Sequence, residues 1–193
     1  AGGPLFTQEY NNYPLIDHFI LNEAEITLPS FLHDLKSGNP RRLYRTSEYA
    51  DISQTPVPDY HLLARDKYAF MNIQVSRGCP FACNFCEITV LLGHKVRMKS
   101  SDQIIEELEA LYNLKWRGPV FIVDDNFIGN IKEVKNNLLP EIKNWMQLHR
   151  FPFIFNTETS INLADDEELM TLMVETGFNS TFIGIETIEE KSL

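Results

Sequence analysis

The chain has three cysteines, and all of them fall in one short stretch, Cys79-Pro80-Phe81-Ala82-Cys83-Asn84-Phe85-Cys86. An odd, clustered set is a poor disulfide framework; it points to a reducing compartment and to metal ligation. The spacing, C-x3-C-x2-C, lets one tight loop reach three corners of a cubane 4Fe–4S cluster. Three thiolates hold three irons and leave the fourth open to a substrate or cosubstrate, whereas ordinary electron-transfer clusters use four cysteines. Two other classes stay open on these residues alone. Zinc takes Cys3His tetrahedra, so Cys79, Cys83 and Cys86 with His94 would make a structural module rather than an enzyme. A cluster protein that only carries electrons is the second.

Charge adds to this pattern. The net charge over 193 residues is −10, which argues against a general nucleic-acid binder. Yet from Arg77 to Lys99 four cations (Arg77, Lys95, Arg97, Lys99) face one anion, Glu87. That local excess suits an anionic cluster or a carboxylate ligand, or is a solvated loop. With 44% hydrophobic and 23% charged residues the composition is that of a globular protein. No apolar run approaches the roughly 18 residues of a membrane span, and no signal peptide opens the chain; a cytoplasmic location is expected. Ala1-Gly2-Gly3-Pro4 lacks an initiator Met and reads like the end of a strand entering a turn, as if the chain begins inside a larger protein.

The elements that must position the cysteines follow from periodicity. Residues 16–21 read as a strand, and 23–35 as a helix with Ile26, Leu28, Phe31, Leu32 and Leu35 at near-helical spacing. Ser37-Gly38-Asn39-Pro40 stops it, and residues 38–68, rich in Pro, charge and aromatics, read as a linker. Residues 69–76 form a strand that runs into the cysteine loop. Ser100 or Ser101 caps a helix whose Ile104, Ile105, Leu108, Leu111 and Tyr112 share one face. Val120-Phe121-Ile122-Val123 is an apolar strand of the buried parallel type. A helical stretch covers 131–149, with Pro140 marking a kink or a restart. Phe153-Ile154-Phe155 is a third strand, Asp165 or Asp166 opens a helix that Gly177 stops, and residues 181–185 are a fourth strand. This β–α alternation predicts an α/β fold, a parallel sheet with helices outside. Sites in such folds lie at the C-terminal ends of strands. The cysteine loop, Asp124-Asp125-Asn126, Asn156-Thr157-Glu158 and Glu186-Thr187 fall there.

The cysteine pattern, with Phe85 as the aromatic before the last cysteine, resembles the C-x3-C-x-aromatic-C signature of the radical S-adenosylmethionine superfamily. The resemblance implies that Cys79, Cys83 and Cys86 ligate a 4Fe–4S cluster whose open iron chelates the amino and carboxylate groups of S-adenosylmethionine. Reductive cleavage of the sulfonium would then yield a 5′-deoxyadenosyl radical. It places Phe85 beside the adenine. At the end of the second strand, where the family often has Gly-Gly-Glu, Asp124 or Asp125 would meet the methionine ammonium; the alternative is that one of them caps the next helix. Gly184-Ile185-Glu186-Thr187 is similar to a Gly-Ile-Glu-Ser element whose polar residue tends to contact the ribose, which implicates Glu186. Glu158 is a further cosubstrate candidate, and Arg97 either neutralises the cosubstrate carboxylate or pairs with a helix acid.

Gly2-Gly3-Pro4, the Asp17-to-Leu21 strand and Asn22-Glu23-Ala24-Glu25-Ile26-Thr27-Leu28 resemble the last part of the cobalamin-binding domain that precedes the radical core in one large subgroup. Ser76-Arg77-Gly78-Cys79-Pro80 and Phe121-Ile122-Val123-Asp124-Asp125-Asn126-Phe127 fit the same subgroup. The resemblance implies three segments: 1–37, the tail of a flavodoxin-like cobalamin-binding domain; 38–68, a linker; and 69–193, about four β–α units of a partial (β/α)6 barrel. It also implies cobalamin in a longer parent protein, methyl transfer to a carbon centre, and a small-molecule or lipid-like substrate. A low-potential electron donor such as a flavodoxin or ferredoxin completes the set, and the chain by itself is not expected to turn over efficiently. Asp59-Tyr60-His61-Leu62-Leu63-Ala64 nearly spells a cobalamin-ligand motif, but it ends in Ala and sits in the Pro-rich stretch, so His61 is not taken as a cobalt ligand.

Overall fold

The structure, a computed structural model, describes residues 1–185. Its front unit is small. Gly2 bridges to Ile20, and Pro4 then opens α1 (Pro4–Glu9), where a missing N–H costs nothing. Next come β1 (Phe19–Ile20), α2 (Ala24–Lys36) and β2 (Leu43–Tyr44). β1 and β2 pair in parallel, Phe19 opposite Leu43. Leu43 and Tyr44 lie in the stretch that reads as linker, so the front unit's pairing continues past residue 37. The remainder of that stretch makes three short 3-10 turns, Ile52–Gln54, Tyr60–Leu62 and Arg65–Lys67.

The second unit is a four-stranded parallel sheet. Its first strand, β3 (Met71–Ile73), is shorter than the run 69–76 suggests. The chain leaves the sheet after Ile73 and resumes as β4 (Ser76–Arg77), which pairs antiparallel with β5 (Arg97–Met98). The cysteine loop, with the short helix α3 (Ile88–Leu92), therefore springs from a two-stranded stem. Beyond it lie α4 (Ser101–Asn113), β6 (Gly118–Ile122), α5 (Ile131–Glu133), α6 (Leu139–Leu148), β7 (Phe153–Thr159), α7 (Glu167–Thr176) and β8 (Phe178–Ile183). The sheet order is β3-β6-β7-β8, all parallel.

Local sequence explains most of these boundaries. Ser100 and Gln103 form a reciprocal capping box at α4, satisfying N–H groups that the first turn leaves open. Between α5 and α6 the backbone widens into a π-turn, Val134–Leu138. Pro140 has no N–H to donate back along the helix, and the wider turn accommodates that loss without a break. Neither Asp124 nor Asp125 caps the following helix; Asn130 does, accepting from the Glu133 N–H. Asp166 caps α7 through the Leu169 N–H and pairs with Lys135.

Packing sorts the two faces of the sheet. Met71, Ile73, Val120, Ile122, Phe153 and Phe155 are buried beneath α4, α6 and α7, which contribute Ile104, Leu108, Leu111, Leu139, Ile142, Met146, Leu169 and Met173. Each such side chain stabilises by roughly 1.5–3 kcal/mol relative to exposure. The alternate positions face the other way. Register puts Asn72, Phe121, Asn156 and Ser180 in one row across the sheet, and Asn72 and Ser180 are exposed. That row is the inner face of an incomplete barrel wall.

The close of α7 yields a test of this packing. Gly177 caps the helix at φ 110°, its N–H bonding back to the last turn, and a Cβ there would meet Met146 Cε at 2.9 Å. Gly177→Ala should cost roughly 1–2 kcal/mol, the left-handed penalty for an L-residue, read as a lower urea midpoint with unchanged slope.

Candidate functional site

The loops at the C-terminal ends of the strands converge around the cysteines. All three thiols are free; Cys79 and Cys86 are half-buried and Cys83 is exposed. Phe81 and Phe85 are exposed as well, Phe85 by 69%. The loop is shaped by its backbone. The Cys79 N–H donates to the Gly93 carbonyl and the Cys86 N–H to the Cys83 carbonyl, each at 3.2 Å. Gly78, at φ 94°, sits where a Cβ would lie 2.8 Å from the Lys95 carbonyl oxygen and 2.9 Å from that of Gly93; no other residue type fits this position without moving the loop. Gly93 is packed in turn against the Tyr49 ring, supplied by the stretch that precedes the sheet.

The second strand's loop braces the cysteines from the side. Gly129 has so little room that a Cβ would meet Val96 at 3.0 Å and Pro80 at 3.3 Å. The Phe127 N–H donates to the Glu158 carbonyl, and the buried Asn126 amide oxygen accepts from both the N–H and the hydroxyl of Ser160. Thus the ends of β6 and β7 are tied to each other and packed against the cysteine loop.

Asp124 and Asp125 take different positions. Asp124 is 1% exposed; its carboxylate accepts the Val75 N–H at 2.7 Å and the Ser76 hydroxyl at 2.6 Å. It holds the chain at the point where it leaves β3 and begins β4, with both carboxylate oxygens engaged by the chain itself. Asp125 is exposed at the strand end. Glu158 is half-buried, and it lies within β7 rather than after it, because Asn156, Thr157 and Glu158 extend the strand. Thr157 and Thr159 face the helices, Thr157 donating to the Ile122 carbonyl, which turns Glu158 to the inner face in register with Phe182. Glu186 lies outside the described residues.

The cation excess of the sequence proves largely internal. Arg77 donates to Glu23 and Glu25, each at 2.7 Å, and Arg97 to Glu23 at 2.8 Å. Arg97 also donates to the Ala50 and Leu92 carbonyls and stacks over Tyr49. The Arg97 side chain is 13% exposed and pairs with Glu23, the residue that precedes α2. The buried Lys99 amine pairs with Glu107, 2.5 Å away. Glu23 is the residue that sequence reasoning misses as a site element. Its partners lie 54 and 74 positions away, and no spacing rule connects them. Among the described residues no group of three or more His, Cys, Asp or Glu side chains, the three cysteines included, is gathered around one ion position; His94 is exposed. No helix among the described residues is long and apolar enough to cross a membrane.

Residues 73–193 match the Radical SAM superfamily. The chain belongs to that superfamily. It is 51% identical over its whole length to an uncharacterized methyltransferase of Synechocystis sp., covering 36% of that protein. It is 34% identical, again over its whole length, to the hopanoid C-2 methylase of Rhodopseudomonas palustris, covering 37% of it. The chain thus spans little more than a third of these curated relatives. Among solved structures, the cobalamin-dependent S-adenosylmethionine radical enzyme OxsB, with aqua-cobalamin and S-adenosylmethionine bound, shares the fold of the entire chain. The TM-score is 0.76 at 18% identity, and the match covers 31% of the OxsB chain.

The tie at Asp124 has a pH signature. Burial, outweighing the hydrogen bonds from Ser76 and Val75, pushes its carboxyl up from 3.8 to about 6. A carboxyl whose folded value is raised binds its proton more tightly in the folded state. Its stabilising contribution is therefore full below the unfolded value and is lost as pH rises through about 6. Asp124→Asn should flatten the decline in stability across that window in urea titrations. Asp124→Ala, which leaves the Val75 N–H buried without a partner, should cost about 1–3 kcal/mol at any pH.

Proposed function

We propose that Cys79, Cys83 and Cys86 hold a 4Fe–4S cluster and that the chain carries the part of a radical enzyme that binds and reductively cleaves S-adenosylmethionine. The observation that carries this reading is the position of three free thiols on one backbone-shaped loop at the C-terminal ends of a parallel sheet, in a chain that belongs to the radical SAM superfamily. The donor set fits: sulfur ligands alone, three of them, on a segment with room around Cys83 and Phe85. When bound, the cluster supplies the electron that cleaves the sulfonium to methionine and a 5′-deoxyadenosyl radical.

The chain's own residues divide the remaining work. Asp125, exposed beside the loop, is the carboxylate free to accept hydrogen bonds from the methionine ammonium. Phe85 offers an apolar face to the adenine. Glu158, on the inner face, is placed to accept from ribose hydroxyls, and Glu186 keeps the ribose role that the family resemblance gives it. Asp124 and Arg97 orient the loop and do not contact the cosubstrate.

In the longer protein the reading extends to cobalamin and to methylation of a carbon centre. A largely apolar cavity of about 490 Å³ lies between the front unit and the cysteine loop, lined by Gly2, Gly3, Asn22, Glu23, Leu91 and Leu92 among others. Gly2 has no room for a Cβ, which would stand 2.5 Å from the Ile20 carbonyl oxygen, so backbone forms this wall. Such a surface suits a large ligand approached closely by main chain. Relatives named as methyltransferases, one of them for a hopanoid carbon, support methyl transfer and a lipid-like substrate. A low-potential flavodoxin or ferredoxin as electron donor, and a cytoplasmic location, accord with three reduced cysteines.

Anaerobic reconstitution with iron and sulfide tests the core of this reading. The chain should bind about four irons, as a cubane requires, and Cys83→Ala should abolish binding. S-Adenosylmethionine should alter the electron paramagnetic resonance spectrum of the reduced cluster. Asp125→Ala should weaken that response several-fold, and Asp124→Asn should not. Stoichiometric zinc with no iron uptake would replace this reading with the Cys3His module.

A further inference from the structure

We infer that Glu23 is the positioning residue of the cysteine loop, one buried carboxylate that grips both stems of the loop and fixes it to the front unit. The inference rests on the reading of Cys79, Cys83 and Cys86 as cluster ligands. Arg77 and Arg97 stand directly opposite each other in the β4–β5 pair, at the two feet of the loop. Oε2 of Glu23 accepts from Arg77 Nη1 at 2.7 Å, and Oε1 accepts from Arg97 Nη2 at 2.8 Å. The Glu23 side chain is 2% exposed, and the Arg77 and Arg97 side chains are 18% and 13% exposed. Charge-assisted bonds shielded in this way are strong and directional.

The rest of Glu23 is equally fixed. It precedes α2, and its carbonyl accepts the Ile26 and Thr27 N–H groups and the Thr27 hydroxyl. A movement of α2 must therefore carry both feet of the loop with it. Each arginine has further anchors: Gln74 and Glu25 for Arg77, and the Ala50 and Leu92 carbonyls for Arg97. Glu23 is the group they share. Replacing it leaves two half-buried cations facing each other across the stem with no common partner. Its negative charge also offsets theirs beside the cluster loop, and cluster potentials respond to local net charge.

The test compares Glu23→Gln, Glu23→Asp and Glu25→Gln in the whole chain. Amide hydrogen exchange is followed at Cys79 and Lys99, whose N–H groups close the stem on Gly93 and Val75, both before and after iron and sulfide are added. Glu23→Gln should speed exchange there about tenfold or more and shift the cluster's midpoint potential positive. Glu23→Asp, too short to bridge both arginines, should speed exchange while keeping the potential near that of the parent. Glu25→Gln, which touches one foot, should change exchange less than either. Unchanged exchange and potential in Glu23→Gln would overturn the inference. Should Glu23→Gln not fold, Glu23→Gln with Arg97→Met removes the stranded charge; a folded chain with a fast-exchanging stem supports the inference, and one with a protected stem overturns it. A parent chain that takes up no iron contradicts the reading of the cysteines instead, and the exchange comparison on the iron-free chain still decides the role of Glu23.

Discussion

The site depends on how the chain gets out of the sheet after Ile73. A parallel strand that simply continued would carry the cysteines away from the other strand ends. Leaving the sheet strands the Val75 N–H and buries the Ser76 hydroxyl, and unpaired buried polar groups are costly. The Asp124 carboxylate, arriving from the end of the neighbouring strand, accepts from both. One side chain thus turns a strand break into a fixed corner. From that corner the chain enters the separate antiparallel β4–β5 pair that carries the cysteine loop. The raised affinity of Asp124 for a proton is the energetic trace of placing a carboxylate where the fold needs an acceptor.

The stretch between the two units does more than connect them. β3 is an edge of the sheet, and exposed edges invite pairing with other chains. Tyr60 covers this one: its hydroxyl donates to the Asn72 carbonyl and reaches Glu107, and Glu107 in turn holds Lys99. Further up the same stretch, Tyr49 packs on Gly93 and Ala50 accepts from Arg97. The segment that composition marks as a linker thus also touches the sheet's edge and packs against the loop.

What the sequence makes legible follows from the kind of interaction involved. Helices with one apolar face and a capping residue, such as that opened by Ser100, are written in local spacing, and so is the buried strand Val120-Phe121-Ile122. The cysteine loop is legible because its three cysteines fall at one short, fixed spacing. The strand over Phe153–Thr159 is only half legible: Asn156 and Glu158 are poor strand formers, and tertiary pairing on both sides overrides that preference. Pro and Gly punctuation conceals Leu43–Tyr44, whose pairing with Phe19–Ile20 is a non-local event. The distinction between Asp124 and Asp125 is invisible to sequence, since both are carboxylates after an apolar strand and alternation alone does not say which one turns toward Val75. Glu23 is hidden for the same reason, its partners being far along the chain.

The charges around the cysteines show how a sequence pattern can be right in location and wrong in cause. Four cations against one anion look like an electropositive pocket awaiting a negative ligand. In the fold, Arg77, Arg97 and Lys99 are neutralised by Glu23, Glu25 and Glu107, leaving Lys95 without an ion pair among the described residues. Three basic side chains are concentrated there because the loop has two stem strands and a following helix, α4, to anchor, and arginine's planar fork suits anchoring to carboxylates and carbonyls at once. An anion at the loop therefore gains little from bulk positive charge. The backbone that Gly78 and Gly93 draw close shapes the loop, which puts the burden of specificity on that shape and hence on the residues that fix its feet.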